Sequence, residues 1–256
     1  MEYRYEYKYL VSSSLLPKLR ELIYPYIDLD THVEHKETHQ YSVRSIYFDT
    51  SNFDYYFDKL EGIGNRKKVR LRTYQENTDE SIAFLEVKRK YEVPLIKYRA
   101  PLKAEDILKI FQSGNTEKLT LDGIGAIENA KENSNTFFHF LYKDNLIPII
   151  LISYEREPYN SKFDPTTRIT FDKNLRSFPF PKLEDIYRED ILSDSLPGQF
   201  ILEVKFNHMF PKWMKSIISQ FGLRSEAVSK YITSIDSHNL LGRHNKYYTI
   251  AKSNFY

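Results

Sequence analysis

The sequence predicts an α+β fold in which about eight strands, mostly antiparallel, form one sheet with a charged face and an apolar face, flanked by helices. Three observations carry this reading. Lys or Arg recurs at every second position in Val69-Arg70-Leu71-Arg72, Leu85-Glu86-Val87-Lys88-Arg89-Lys90, Ile96-Lys97-Tyr98-Arg99 and Leu202-Glu203-Val204-Lys205. Successive side chains of a strand point to opposite faces, so each segment puts its charges on one side. The connections between strands are short, and segments of helical periodicity are interspersed with them.

Taken in order, residues 3–11 alternate as a strand and end at Ser12-Ser13-Ser14, which can cap a helix over 15–26 with Leu15, Leu19, Leu22, Ile23 and Tyr26 on one face. Residues 28–40 are polar, 41–49 form a strand, and a short helical run reaches Leu60. Gly62-Ile63-Gly64-Asn65 reads as a turn into a strand over 67–74. A turn over 76–80 leads to a strand over 82–92, and Pro94 separates that strand from one over 95–101, giving a meander. Residues 104–112 carry Ile107, Leu108 and Phe111 at helical spacing. The stretch 114–145 reads as helical or irregular. Strands follow over 149–157 and 167–172, then a long loop over 174–198, then a strand over 200–207. Pro211 is placed to open a helix through 221, and a second helix spans 226–238. One domain is expected over 1–238, followed by a polar tail over 239–256.

The chain has 256 residues, 41% of them hydrophobic and 28% charged, a composition able to bury a core. Lys and Arg number 37 against 35 Asp and Glu, so any basic site must come from local arrangement. With no cysteine, disulfides, thiolate zinc and a Cys nucleophile are excluded. The N-terminal residues read as a strand with no apolar leader. The longest apolar stretch, 146–152, contains Pro148 and falls far short of the about 20 residues a membrane helix needs. A cytoplasmic protein without a membrane span is expected.

Alternation assigns Leu71, Val87, Ile169, Phe171, Leu202 and Val204 to one face. The other face takes Arg4, Glu6, Lys8, Arg70, Arg72, Glu86, Lys88, Lys90, Lys97, Arg99, Arg168, Glu203 and Lys205. Two architectures accommodate this division. An open sheet would turn its charges to water and its apolar face to helices; a closed eight-stranded antiparallel barrel would enclose a charged lumen beneath a helical coat. The second explains why the cations concentrate in the strands and why Glu6, Glu86 and Glu203 share their face. Packed cations require anions, a metal or a phosphate ligand. Arg binds phosphate through its planar fork and Lys as a point charge, while carboxylates beside them can hold a divalent ion that bridges phosphate oxygens.

Seven segments then occur in a recognisable order: Arg4-Tyr5-Glu6-Tyr7-Lys8-Tyr9-Leu10-Val11, Ser45-Ile46-Tyr47-Phe48-Asp49-Thr50, Val69-Arg70-Leu71-Arg72-Thr73-Tyr74, Phe84-Leu85-Glu86-Val87-Lys88, Arg168-Ile169-Thr170-Phe171-Asp172, Ile201-Leu202-Glu203-Val204-Lys205 and Ser229-Lys230-Tyr231. From Arg4 to about Tyr231, the chain resembles the VTC domain, the polyphosphate polymerase module of the triphosphate tunnel metalloenzyme (CYTH-like) superfamily. The resemblance implies a closed eight-stranded antiparallel tunnel with a charged lumen that binds a nucleotide triphosphate with Mn²⁺ or Mg²⁺. It implies transfer of the γ-phosphate of ATP to a growing polyphosphate chain, with triphosphate hydrolysis or non-catalytic polyphosphate or inositol phosphate binding as the alternatives. By motif position, Arg70, Arg72, Lys88, Lys97, Arg156 and Arg168 resemble the catalytic cations, and Glu203 resembles the metal ligand. Lys230 resembles a further phosphate contact. Lys8, Lys90, Arg99 and Lys205 share the basic face as phosphate ligands, and Glu6 and Glu86 share it as metal ligands. Partners are ATP and polyphosphate or triphosphate, with no nucleic acid; a membrane partner that receives the product is left open.

Two positions depart from the wider patterns. Ala227 stands where the eukaryotic polymerases carry a second lysine, and Arg4 stands where many tunnel enzymes carry a glutamate, as is usual in VTC domains. Other signals carry less. His32, His35 and His39 match no standard metal spacing in a polar segment. There is no Walker A loop and no Gly-x-Ser-x-Gly elbow. The 21 tyrosines and 17 phenylalanines fall mostly at apolar positions such as Tyr47, Phe84, Phe171 and Phe221, which points to core packing over base stacking.

Overall fold

The computed structural model describes residues 5–74, 81–91, 95–114, 116 and 127–242. Ten strands join in one antiparallel sheet: β1 (Tyr5–Ser12), β2 (Ile27–Leu29), β3 (Tyr41–Asp49), β4 (Arg66–Thr73), β5 (Ile82–Lys90), β6 (Leu95–Lys103), β7 (Ile147–Ser161), β8 (Arg168–Pro179), β9 (Ser193–Asp194) and β10 (Gln199–Phe206). The main path runs β1-β10-β8-β7-β3-β4-β5-β6, with β2 paired to β7 and β9 to β8. Among the described residues six helices, α1 (Leu16–Ile23), α2 (Asp54–Leu60), α3 (Ile107–Ser113), α4 (Ala130–Lys143), α5 (Lys212–Gln220) and α6 (Lys230–Ser237), flank it.

Alternation places the two faces as the sequence implies. Val69, Leu71, Leu85, Val87 and Leu102 are buried with Ile107 and Ile110 of α3 and Phe137, Phe138 and Leu141 of α4. Val11, Ile169, Phe171, Leu202 and Val204 are buried with Leu19 and Ile23 of α1 and Met214 and Ile217 of α5. A third cluster packs Val43, Tyr47, Ile150, Ile152 and Tyr154 against Tyr56 of α2 and Tyr231 and Ile235 of α6. Since β3 directs Val43, Ser45 and Tyr47 to the face opposite Ile46 and Phe48, α2 and α6 lie on the concave side.

The sheet is curled. Glu6 and Lys8 of β1 border the same cavity as Lys88 and Lys90 of β5, although five strands separate them along the path. Backbone closure is absent: among the described residues no ladder joins β1 to β6, so the closed barrel expected from the sequence is an open, curled sheet. The free edge of β1 is engaged otherwise. Glu226 N donates to Lys8 O at 2.9 Å, and Lys8 Nζ donates to Val228 O at 3.4 Å, which lays the stretch before α6 along that edge.

Two further expectations change. The stretch read as a loop over 174–198 contains the second half of β8, a 3₁₀ turn (Leu183–Tyr187) and β9. Leu175 and Phe178 face opposite clusters, and residues 176–179 pair with the first turns of β7, so tertiary pairing overrides the local Pro and Ser content. The helix expected over 226–238 starts at Lys230, because the preceding residues bond to β1. Arg4, the turn over 76–80, Pro94 and the tail beyond residue 242 lie outside the described residues.

Asp49, at the end of β3, ties the inner helices to the sheet. Its carboxylate accepts from Thr50 N at 2.7 Å, Tyr55 N at 2.9 Å, Tyr56 N at 3.0 Å and the Tyr231 hydroxyl at 2.5 Å. It thus satisfies the orphan amides that open α2 and anchors α6 at once. Asp49→Ala leaves these donors buried and unpaired, and a loss of about 1–3 kcal/mol is expected in chemical denaturation. Equal midpoints for the two proteins would show that Asp49 holds nothing.

Candidate functional site

Cross-strand register assembles the concave face from the charged positions. β4 sets Lys68 opposite Lys88 and Arg70 opposite Glu86; β5 sets Glu86 opposite Arg99 and Lys88 opposite Lys97. β1 sets Glu6 opposite Lys205 and Lys8 opposite Glu203 on β10. Side chains directly opposed in a ladder lie within reach of one another, so register alone alternates cation with carboxylate along much of the wall.

Glu86 is fully buried among four cations. Its Oε2 accepts from Arg70 Nε at 2.7 Å and lies 3.9 Å from Arg72 Nε; its Oε1 lies 3.1 Å from Lys97 Nζ and 3.2 Å from Arg99 Nε. Burial opposes its ionisation, and Arg70, Arg72, Lys97 and Arg99 outweigh burial, holding the carboxyl well below the usual range. Arg72 Nε also donates to Ser45 Oγ at 2.9 Å.

A second knot centres on Asp172 and Glu203. Arg156 grips Asp172 with both prongs at 2.7 Å, and Lys230 Nζ reaches the same carboxylate at 2.5 Å. Glu203 pairs with Lys205 at 2.5 Å and lies 3.9 Å from Arg156. Glu6 pairs with Lys8 at 2.7 Å and lies 3.7 Å from Lys205. Burial opposes the charge on Glu203 too, and Lys205, Lys8, Lys230 and Arg156 together hold it well below the usual range.

Arg70, Arg72, Arg156, Lys230, Glu203, Lys205, Glu6 and Lys8 border a cavity of about 280 Å³ lined by twelve Lys and Arg side chains and two carboxylates. Of the residues expected from the sequence, Lys8, Arg70, Arg72, Lys88, Lys90, Arg156, Lys205, Lys230, Glu6 and Glu203 meet there. Arg99 and Arg168 line a second cavity of about 510 Å³ with Tyr41, Tyr74 and Phe84; Arg156 lines both. Lys97 lines neither, and its described ion pair is with Glu86. His32 also lines the second cavity and hydrogen-bonds Asp30 at 2.7 Å, with its own side chain 80% exposed.

Burial, reinforced by neighbouring cations, lowers the affinity of Lys88 and Lys68 for protons. Burial, with Arg70, Arg72 and Lys205, brings Lys88 down to about 7; burial, with Lys8, Arg70 and Lys59, brings Lys68 down to about 8. A polyanion in the cavity would reverse both.

Glu86 is not gathered with Glu203 and Glu6 as the sequence suggested: its oxygens are taken up by Arg70, Arg72, Lys97 and Arg99. Among the described residues no three His, Cys, Asp or Glu side chains form a metal cage. Glu6 and Glu203, diagonal neighbours on one face of the β1–β10 ladder, remain at the cavity wall. Two carboxylates and no cage fit a cation that takes its other ligands from phosphate and water, as Mg²⁺ commonly does.

Sequence reasoning missed Lys59, Arg66, Lys67, Lys68, Asp172, Ser229 and Tyr47. Lys68 shares the period-two face of Arg70 and Arg72, and Asp172 shares that of Arg168 and Thr170, so alternation carried a signal for both. Lys59 arrives on α2 and Ser229 ahead of α6, where no strand pattern applies.

A curled sheet lined by cations from strands near both ends of its path can now be compared with known proteins. The profile described as the VTC domain matches residues 3–239. The chain belongs to the VTC domain family. It is 26% identical over 227 residues to vacuolar transporter chaperone complex subunit 4 of Schizosaccharomyces pombe, a match covering 74% of this chain and 30% of that one. It is 26% identical over 153 residues to subunit 2 of the same complex from Saccharomyces cerevisiae, covering 52% of this chain and 18% of that one. The VTC domain described here thus spans less than a third of either relative. Among solved structures, an adenylate cyclase candidate from Bacillus halodurans aligns over 89% of this chain and 94% of its own, with a TM-score of 0.48 and 15% identity. One from Hippeastrum, described as having a dominant triphosphatase activity, aligns over 90% and 93%, with a TM-score of 0.47 and 12% identity. Among the described residues, no helix is long and apolar enough to cross a membrane.

Two predictions follow from the electrostatics. With burial and the neighbouring cations bringing Lys88 down to about 7, it should lose its charge as pH rises through that value. Triphosphate affinity, measured by calorimetry, should fall as pH rises through that value. Lys88→Arg, which stays charged, should flatten the fall; an unchanged slope in that variant would sink the assignment. The stability of the ligand-free protein moves oppositely, since a lysine with a depressed folded pKa favours the folded state more as pH rises from about 7 towards its unfolded value. Glu86→Gln removes the one anion among four cations and should cost about 3–5 kcal/mol, the range for breaking a buried ion pair, read from thermal and denaturant unfolding. A smaller loss with tripolyphosphate bound would show that an added anion replaces it.

Proposed function

We propose that this VTC domain is a divalent-metal-dependent phosphotransferase that moves the γ-phosphate of ATP onto a growing polyphosphate chain. The observation that supports it most is the cavity wall, where twelve cations from β1, β4, β5, β7, β10, α2 and α6 converge with two carboxylates. Such a wall selects for charge density, and a condensed phosphate chain has one ionised oxygen or more at every phosphorus.

In this reading Arg70 and Arg72 hold the transferring phosphate. Glu86 keeps their guanidiniums oriented, so little reorganisation accompanies the build-up of charge in the transition state. Lys88, Lys90, Lys8, Lys205 and Lys230 bind the flanking phosphates, and Arg156, shared by both cavities, aligns donor with acceptor. Arg99 and Arg168 bind along the second cavity, and Lys97 acts through Glu86. Glu203, with Glu6, would hold a Mn²⁺ or Mg²⁺ ion, which when bound neutralises phosphate oxygens. The attacking group is a terminal phosphate oxygen, which is already ionised near neutral pH, so no protein base is required. The names of the relatives, subunits of a vacuolar transporter chaperone complex, support a place within a larger assembly.

The purified chain, incubated with ATP and Mn²⁺ and resolved on a gel stained for polyphosphate, should give a ladder. Arg70→Ala/Arg72→Ala and Glu203→Ala should abolish it. Free phosphate without a ladder makes the protein a triphosphatase, and binding without turnover makes it a phosphoanion-binding module. Ala227 is exposed in the stretch that lies along β1. Restoring the lysine of the eukaryotic pattern with Ala227→Lys should tighten polyphosphate binding by about two- to fivefold, as expected of one exposed charge pair. No change at low ionic strength would place position 227 off the path of the chain.

A further inference from the structure

Tyr47 occupies a strand position that reads as core, yet its 6% exposed side chain borders the cation cavity. Its hydroxyl oxygen accepts from Arg70 Nη1 at 2.8 Å, and the Arg70 guanidinium lies 5.6 Å from its ring centre. The ring stacks on Tyr231 at 5.2 Å and 24°, and Tyr231 is itself held by Asp49. The phenol is therefore fixed from β4 on one side and α6 on the other. Because its oxygen accepts from a guanidinium, its own proton must point elsewhere, and among the described residues no acceptor takes it.

The charged groups facing Tyr47 are Arg70, Arg72 and Lys68 from β4, while α6 contributes the neutral Tyr231 with Asp49 behind it. Burial favours the neutral phenol, but the three cations outweigh burial and bring the hydroxyl down to about 7. Glu86, the anion nearest Arg70, is already shared among four cations.

We propose that Tyr47 is a proton-exchanging ligand of the phosphoanion, a phenolate counter-ion to Arg70 in the ligand-free cavity and a neutral donor to a phosphate oxygen in the occupied one. This rests on the phosphate-binding reading of the cavity and deepens it. A phosphoanion beside the ring disfavours the phenolate, so Tyr47 takes one proton from solvent on binding. The O–H then completes a charge-assisted hydrogen bond to the ligand while Arg70 still donates to the same oxygen. The site thereby exchanges one internal negative charge for a donor at the moment the external charge arrives. Lys68 and Lys88 also gain protons on binding, but only a tyrosine changes its ultraviolet absorbance in doing so.

The test is an ultraviolet pH titration of the full chain, with and without saturating tripolyphosphate, alongside calorimetry of the same binding. A tyrosinate band is expected to develop around pH 7 in the free protein, far below the about 10 of an ordinary tyrosine. Tripolyphosphate should abolish it. Tyr47→Phe should lack the band and bind tripolyphosphate about tenfold more weakly at low pH, with the gap narrowing once the wild-type phenol must be reprotonated. Calorimetric binding with no tripolyphosphate-sensitive band, or the same band in Tyr47→Phe, overturns this inference alone. Absence of any calorimetric binding overturns it together with the phosphate reading. The wild-type titration stands without the variant.

Discussion

Like charge confined in a small volume is the constraint on which the rest of the structure depends. Two cations about 4 Å apart repel by about 4 kcal/mol at an effective dielectric constant of about 20, and here twelve line one cavity. The fold answers with carboxylates placed by register: Glu86 among Arg70, Arg72, Lys97 and Arg99, and Asp172 between Arg156 and Lys230. Neither carboxylate has appreciable exposure, so each acts at close to full strength on its partners. The helical coat follows from the same requirement, because a face given over to charge leaves the other face mainly apolar.

The neutralisation is deliberately incomplete. Lys68 and Lys88 have no carboxylate opposite them; they oppose each other, and burial, with the neighbouring cations adding to it, depresses the proton affinity of both. Lys8, Lys67, Arg70, Arg72, Arg156, Lys205 and Lys230 have carboxylate partners, whereas Lys59, Arg66 and Lys90 of the same wall have none among the described residues. The unbalanced charge therefore lies on the β4–β5 side of the cavity, with Lys59 of α2 beside it. The two cavities divide the chemistry further: Lys and Arg make up most of the smaller one's lining, whereas the larger sets Tyr41, Tyr74, Ile82 and Phe84 beside Arg99 and Arg168.

Much of this was legible in the sequence because it has period two. The faces, the coat and most of the cations could be read from Val69 to Arg72, Leu85 to Lys90 and Leu202 to Lys205 without knowing how the sheet curls. What alternation does not report is which carboxylate serves which cation. Glu86, Glu203 and Glu6 look alike in sequence, but Glu86 lies opposite Arg70 and Arg99, whereas Glu203 and Glu6 lie opposite lysines at the cavity wall. Tyr47 misleads for a related reason. An aromatic ring satisfies an apolar pattern with its carbon atoms, while its hydroxyl joins the charged network. Closure was overread, because the pattern within a strand says nothing about whether the first and last strands meet.

The open seam bears on the site itself. An unpaired strand edge must find donors and acceptors or remain exposed to association. Here both edges are used by segments that are not strands: Lys8 O of β1 accepts from Glu226 N at 2.9 Å, and Arg99 O of β6 accepts from Asn133 Nδ2 of α4 at 3.0 Å. The first of these bonds has a direct consequence inside. By holding residue 226 against β1 it sets where the chain turns into the cavity, which brings Ser229 to within 3.3 Å of Lys68 Nζ and Lys230 onto Asp172. Pairing of β1 with β6 would satisfy the same edge but would release that stretch and, with it, the only cation that α6 supplies to Asp172 among the described residues. Among the described residues, the β1 edge therefore serves to position the site.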